Sequence, residues 1–181
     1  MLWVLVLNTS TNGEIVIFSS GCTAKSIDFE QRAAHLKRRM IRVHGTAIAL
    51  GGDGILLRGP SGAGKSDLAL RLIDQGARLV ADDQTELRRE GNAVMMSAPA
   101  TIAGQIEVRG LGIVAVPSVA AAPLRLVVDL VPASEIERMP APRECRFLDC
   151  AVPLVALAPF EASASAKLRL ALRGAGAGAA P

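Results

Sequence analysis

Eight consecutive residues, Gly59-Pro60-Ser61-Gly62-Ala63-Gly64-Lys65-Ser66, fit the pattern G-x-x-x-x-G-K-[ST] at every fixed position. The chemistry this spacing supports is anion binding. Glycines let successive backbone N–H groups turn inward around a phosphate, and a helix starting next to them aims its positive end at the same point. Lys65 adds a mobile cation for the outer phosphates, and the Ser66 hydroxyl is placed to ligate Mg²⁺. A glycine-rich turn that merely contains a lysine is the plain alternative. It fits poorly here, because the chain has only four lysines and the loop is preceded by a strand pattern and followed by an amphipathic one. A serine-hydrolase elbow requires G-x-S-x-G, and Gly59-Pro60-Ser61-Gly62-Ala63 has its second glycine one place too early.

A phosphate loop needs a carboxylate to hold a metal or to activate a nucleophile. Two strand ends offer one. Leu79-Val80-Ala81 runs into Asp82-Asp83, and Leu126-Val127-Val128 runs into Asp129. On an extended chain adjacent side chains point to opposite faces, so only one of Asp82 and Asp83 is expected to address a phosphate. Asp129 reads either as a Walker B carboxylate or as a capped strand end. His44, one of two histidines, reads as a packed strand residue unless a hairpin carries it back to the loop, where its protonation would matter near neutral pH. By residue type alone Glu107, Arg109 and Arg138 are solvated surface.

The elements that must position these groups follow from pattern and punctuation. Arg42 to Leu50 reads as one strand, Gly51 to Gly54 as a turn, and Ile55 to Arg58 as a second strand. Lys65 to Gln75 carries Leu68, Ala69, Leu72 and Ile73 at helical spacing, with Gly76 closing the helix. Arg78 to Ala81 is a short strand, and Glu86 to Ser97 a hairpin around Gly91-Asn92. Leu124 to Val131 suits a strand buried on both faces. Pro132 to Pro142 is loop-like, Val152 to Leu157 a strand and Glu161 to Arg173 a helix. The result is an α/β pattern mixed with hairpins. Residues 40–173 are the expected domain and 174–181 a frayed Gly/Ala tail. Residues 1–39 form a leader, either a short element packed on the domain or a dispensable one.

The 181 residues suit one domain, with a core of Ala, Val, Leu and Ile, since aromatics are 3% and tyrosine is absent. An apolar half and a net charge of +3 exclude intrinsic disorder. No basic run interleaved with aromatics supports nucleic-acid binding. Cys22, Cys145 and Cys150 are odd in number and form no C-x-x-C pair, which fits a reducing, cytoplasmic setting rather than a disulfide framework or a zinc site. No apolar run has membrane-spanning length, and the opening Met1 to Leu7 lacks the flanks of a secretory signal.

Taken together, His44-Gly45, the glycine-rich loop, Arg78-Leu79-Val80-Ala81-Asp82-Asp83 and Ile106-Glu107-Val108-Arg109-Gly110-Leu111-Gly112-Ile113 resemble the catalytic domain of the HPr kinase/phosphorylase family. The last segment is similar to that family's signature L-E-I-R-G-L-G-I, which P-loop proteins at large do not carry. The resemblance spans about Val43 to Leu172. It implies a mixed sheet with flanking helices of the HPr kinase/PEP carboxykinase-like P-loop type. It further implies ATP and Mg²⁺ as cofactors, an HPr-like phosphocarrier protein as the partner phosphorylated on serine, and a homo-oligomer, a hexamer in the family. By the same resemblance Lys65 stabilises the phosphates, Ser66 and Glu107 contact the metal, and Asp83 rather than Asp82 is the base, favoured by burial and a neighbouring carboxylate. His44 sits beside that base. Arg138, in Glu137-Arg138-Met139, stabilises the transferred charge.

The departures carry their own expectations. With about forty unmatched residues before His44, a short form without the family's separate N-terminal domain is expected. Pro60 stands where the family loop carries an acidic residue, and the family's F-G-containing loop after the signature is missing. The P-V-x-x-G-R-N segment, linked in the family to removing phosphate from the carrier, is replaced by Ala158-Pro159-Phe160-Glu161-Ala162-Ser163. Kinase activity with weak or absent phosphorolysis is therefore expected. The competing readings are an ATP-binding regulatory module without transfer activity, and a small-molecule kinase or NTPase.

Overall fold

The computed structural model describes residues 40–177. The leader 1–39 and residues 178–181 lie outside the described residues. Strand β1 (Met40–His44) and β2 (Thr46–Leu50) are separated by Gly45, and β3 (Asp53–Arg58) leads into the glycine-rich loop and helix α1 (Lys65–Asp74). There follow β4 (Arg78–Ala81), β5 (Gln84–Glu90), β6 (Ala93–Ser97), β7 (Gln105–Val108), β8 (Gly112–Ala115) and β9 (Ala121–Leu130). The hairpin β10 (Arg143–Phe147) and β11 (Cys150–Leu157) precedes helix α2 (Ala164–Ala177). Thus α2 starts three residues later than its sequence pattern suggests and runs through Gly174 to Ala177, past the point where the tail was expected to fray.

Nine strands form one mixed sheet in the order β1-β5-β6-β9-β3-β2-β4, with β11 joining at β9 and β10 beyond it; β7 and β8 form a separate antiparallel pair. The ten-residue β9 is the hub. Its first residues pair antiparallel with β6, while its second half runs parallel to both β3 and β11. That placement explains its near-continuous apolar character.

The expected single strand from Arg42 to Leu50 is two strands with different partners. β1 pairs with β5, whereas β2 pairs with β3 and β4. Gly45 makes the break possible, because a Cβ there would lie 2.8 Å from the Leu57 carbonyl oxygen. Its N–H donates to the Asp83 carbonyl at 2.9 Å, and its own carbonyl accepts from the Thr85 hydroxyl at 2.9 Å.

Strand alternation divides the core into two. Ile48, Ile55, Leu57, Leu126 and Val128 pack against Leu68 and Leu72 of α1 and Leu168 and Leu172 of α2. Both helices therefore cover the same side. On the other side Ala47, Leu56, Val80 and Val127 meet Leu87, Val94 and Met96 of the β5–β6 hairpin and Val152 and Leu154 of β11. The sheet supplies both walls of that second core by curling on itself. Burying one such leucine is worth about 1.5–3 kcal/mol, so these layers fix the strand ends on which the polar groups sit. Among the described residues no helix is long and apolar enough to cross a membrane.

Candidate functional site

The glycine-rich loop connects the end of β3 to the start of α1. Gly64 occupies the helix N-cap at φ 86°, a left-handed conformation natural to glycine, and no side chain caps the helix. The N–H groups of the first turn are thus left for another acceptor. Lys65 is buried, and its Nζ donates to the carbonyls of Gly59 and Pro60, 3.0 Å each. The cation is held back across its own loop, directly beside the amides.

Asp82, at the end of β4, is buried and fully engaged. Its Oδ1 accepts from the hydroxyls of Thr46 (2.8 Å) and Ser66 (3.0 Å), and its Oδ2 accepts from the Glu107 N–H (3.0 Å). One carboxylate so ties β2, the first turn of α1 and β7 together. These charge-assisted bonds orient the Ser66 hydroxyl within the loop.

Asp83 is different in kind. Its φ is +62°, and the Gln84 N–H donates to the Asp82 carbonyl at 2.7 Å, closing a γ-turn with Asp83 at its centre. This turn class is rare and strained, and strain of this sort gathers where a side chain must be aimed. It cancels the strand alternation, so Asp82 and Asp83 line the same cavity instead of opposite faces. The Asp83 side chain is 67% exposed, and its Oδ1 lies 3.2 Å from Nδ1 of His44. The register of β1 on β5, which sets His44 opposite Gln84, brings the two together. The burial expected around Asp83 belongs to Asp82.

A cavity of about 400 Å³ gathers the group: Gly64, Lys65 and Ser66 from the loop and helix start, Asp82 and Asp83 from the end of β4, and Glu107 and Arg109 from the end of β7. Glu107 arrives on the β7–β8 hairpin, whose strands pair from Gln105↔Ala115 to Val108↔Gly112. Its carboxylate is exposed to the cavity while its backbone is pinned by Asp82. Arg138 is not brought here. It is exposed in the loop between a 3-10 turn (Ala133–Glu135) and β10, and the arginine lining the cavity is Arg109. Arg109 and Glu107 are two residues apart at the end of β7, a spacing that alternation could have paired. Thr46 and Phe160 carried no signal of their own.

Asp129 lies elsewhere. It faces Arg58 across the parallel β3–β9 ladder in a bidentate pair, Nε–Oδ1 2.8 Å and Nη2–Oδ2 3.0 Å. The guanidinium sits 6.0 Å from the centroid of the Phe147 ring. Because Leu57 and Val128 point to the helix side, Arg58 and Asp129 point away from it. Of its two readings, the strand-end partner is the one this geometry matches.

The sequence pattern of the family described as HPr Serine kinase C-terminal domain matches residues 36–158. The HPr kinase/phosphorylase of Clostridium tetani is 48% identical over 77 residues, which cover 42% of this chain and 25% of that protein. The enzyme of that name from an Exiguobacterium species is 45% identical over 76 residues, 41% of this chain and 24% of its own. The chain thus spans about a quarter of the length of these relatives. The solved structure of the Hpr(Ser) kinase/phosphatase from Coxiella burnetii superposes with a TM-score of 0.67 at 27% identity, covering 74% of this chain and 95% of that one. With the matched pattern spanning well over half its residues, the chain belongs to the HPr serine kinase C-terminal domain family.

Proposed function

We propose that this protein is an ATP-dependent serine kinase of the cytoplasm that phosphorylates an HPr-like phosphocarrier protein, acting as a homo-oligomer. The observation that carries the reading is the exposed Asp83–His44 pair, whose Asp83 lines the same cavity as Lys65 and Ser66 of the phosphate loop. A base that must meet a hydroxyl on another protein has to be accessible, and Asp83 is. In this reading the Asp83 carboxylate takes the proton of the seryl hydroxyl as its oxygen attacks the terminal phosphorus. The bond to the bridging oxygen breaks and ADP leaves. Lys65 and the loop amides offset the charge on the moving group.

Hard oxygen donors suit Mg²⁺, and the Ser66 hydroxyl, oriented by the buried Asp82, and the open Glu107 carboxylate are such donors lining one cavity. When bound there the ion would neutralise phosphate charge. Glu107 is the side chain free to contact it, and Ser66 the one held ready.

Weak or absent phosphorolysis is part of the same proposal. Attack by inorganic phosphate on a phosphoserine requires cations to hold a second anion. The segment Ala158 to Ser163 has none and sets Phe160 against the loop. Incubation with γ-labelled ATP, Mg²⁺ and a purified HPr-like protein tests the proposal, with expected label on a serine found by peptide mapping. Tight ATP binding with every carrier unlabelled would instead identify a nucleotide-responsive regulatory module.

A further inference from the structure

A second cavity, of about 620 Å³, opens on the same loop and contains none of Asp82, Asp83 or Glu107. Ala63, Leu130, Val131, Pro132, Pro159 and Phe160 make its walls apolar. Its size is that of a small-molecule site. It shares Ser61, Gly62 and Phe160 with the polar cavity, so a ligand lying along the loop reaches both.

Phe160 is the junction. The residue is 71% exposed, yet its ring is set against the loop: a Cβ on Gly64 would lie 2.8 Å from the ring edge. The chain beneath it is tethered by Arg71, which donates to the Pro159 carbonyl. A large aromatic held in place with its surface open is a platform for a flat partner. A nucleoside triphosphate has two unlike ends. The terminal phosphoryl group belongs with the cations and carboxylates, and the uncharged nucleoside belongs with apolar walls.

We infer that the 620 Å³ cavity holds the nucleoside of the nucleotide, with Phe160 stacking on the base, and that this contact separates a nucleoside triphosphate from a bare polyphosphate. The inference rests on reading the glycine-rich loop as the phosphate site. Titration calorimetry with Mg²⁺ present, comparing ATP with inorganic tripolyphosphate, tests it on the full chain. Phe160→Ala, at an exposed position, should weaken ATP by about 5- to 100-fold, the range for losing one base-stacking aromatic, and leave tripolyphosphate unchanged. Ala133→Trp, in the exposed 3-10 turn lining the cavity, should fill the space and weaken ATP selectively as well. ATP affinity within twofold of wild type in both variants overturns the inference, as does parallel weakening of both ligands. Unchanged ATP affinity with poorer carrier binding would assign the cavity to the protein substrate instead. If neither ligand binds the wild type, the phosphate-loop reading itself fails, and the inference with it.

Discussion

Nδ1 of His44 lies 3.2 Å from Oδ1 of Asp83, with both side chains more than half exposed. That contact lets the imidazole orient the carboxylate toward an incoming hydroxyl. His44→Gln, which keeps a polar group beside Asp83, should lower transfer only a few-fold, read as initial rates at saturating carrier. Asp83→Asn should retain ATP binding and lower transfer by at least about 10², the lower end for losing a general base. An unchanged rate in the asparagine variant would move the base role to another group, Asp82 first.

Lys65 holds two loop carbonyls at 3.0 Å and must exchange them for phosphate oxygens. Lys65→Ala should lower phosphoryl transfer by about 10²–10³, the scale for removing one preorganised charge stabiliser. Initial rates at saturating carrier measure it. A loss under tenfold would mean that the loop amides alone carry the charge.

Asp82 predicts a different phenotype from its neighbour. It accepts three hydrogen bonds while buried, so Asp82→Ala leaves Thr46, Ser66 and the Glu107 N–H without their shared acceptor. The cost is about 1–3 kcal/mol, read as a lower urea midpoint with unchanged slope. Asp83→Asn, at an exposed side chain, should leave the midpoint unmoved. Equal midpoints for the two variants would contradict the division of labour drawn between them.

The parts of this arrangement that sequence made legible are the locally encoded ones. Helix α1 follows from Leu68, Ala69, Leu72 and Ile73 at helical spacing, and the β5–β6 turn from Gly91-Asn92, because each depends on neighbours along the chain. The split of Arg42–Leu50 into β1 and β2 was not legible. Nothing in an alternating apolar run says that its two halves have different partners, or that Leu57 will crowd Gly45. The shared orientation of Asp82 and Asp83 was hidden for a similar reason: strand alternation puts them apart, and only the γ-turn at Asp83 puts them together. Arg109 instead of Arg138 reaches the cavity because the end of β7 is pinned to Asp82 through the Glu107 N–H, a tertiary fact. Asp129 ended in the same apolar-then-acid pattern as Asp82, and only the facing Arg58 distinguishes them.

Cys145 lies half-buried against the second core, and burial pushes its thiol above the ordinary range, with Arg58 pulling the other way and Asp129 adding to the rise. The thiol is therefore the dominant form at neutral pH, and thiolate is the nucleophile. Alkylation of Cys145 by iodoacetamide at pH 7.5 should be several-fold slower in the native protein than in urea, and should accelerate as pH rises past the usual cysteine range. Peptide mapping by mass spectrometry isolates this position from Cys22 and Cys150. Equal native and unfolded rates would mean that the site is open to water.

The Arg58–Asp129 pair supplies the sharpest separation between a structural and a metal-binding carboxylate. Each side chain is 31% exposed, the contact is bidentate, and it sits on the side of the sheet away from both helices. Partial exposure screens the charges, so the loss in Asp129→Asn is about 1–2 kcal/mol, smaller still in 1 M salt. ATP affinity and transfer rate should stay within about threefold of wild type, since no atom of the pair lines the cavity around Lys65. A carboxylate that held the metal would behave oppositely, with transfer collapsing by a hundredfold or more at unchanged stability. Measuring the urea midpoint and the labelling rate on the same preparation decides between the two, because each reading moves only one of them.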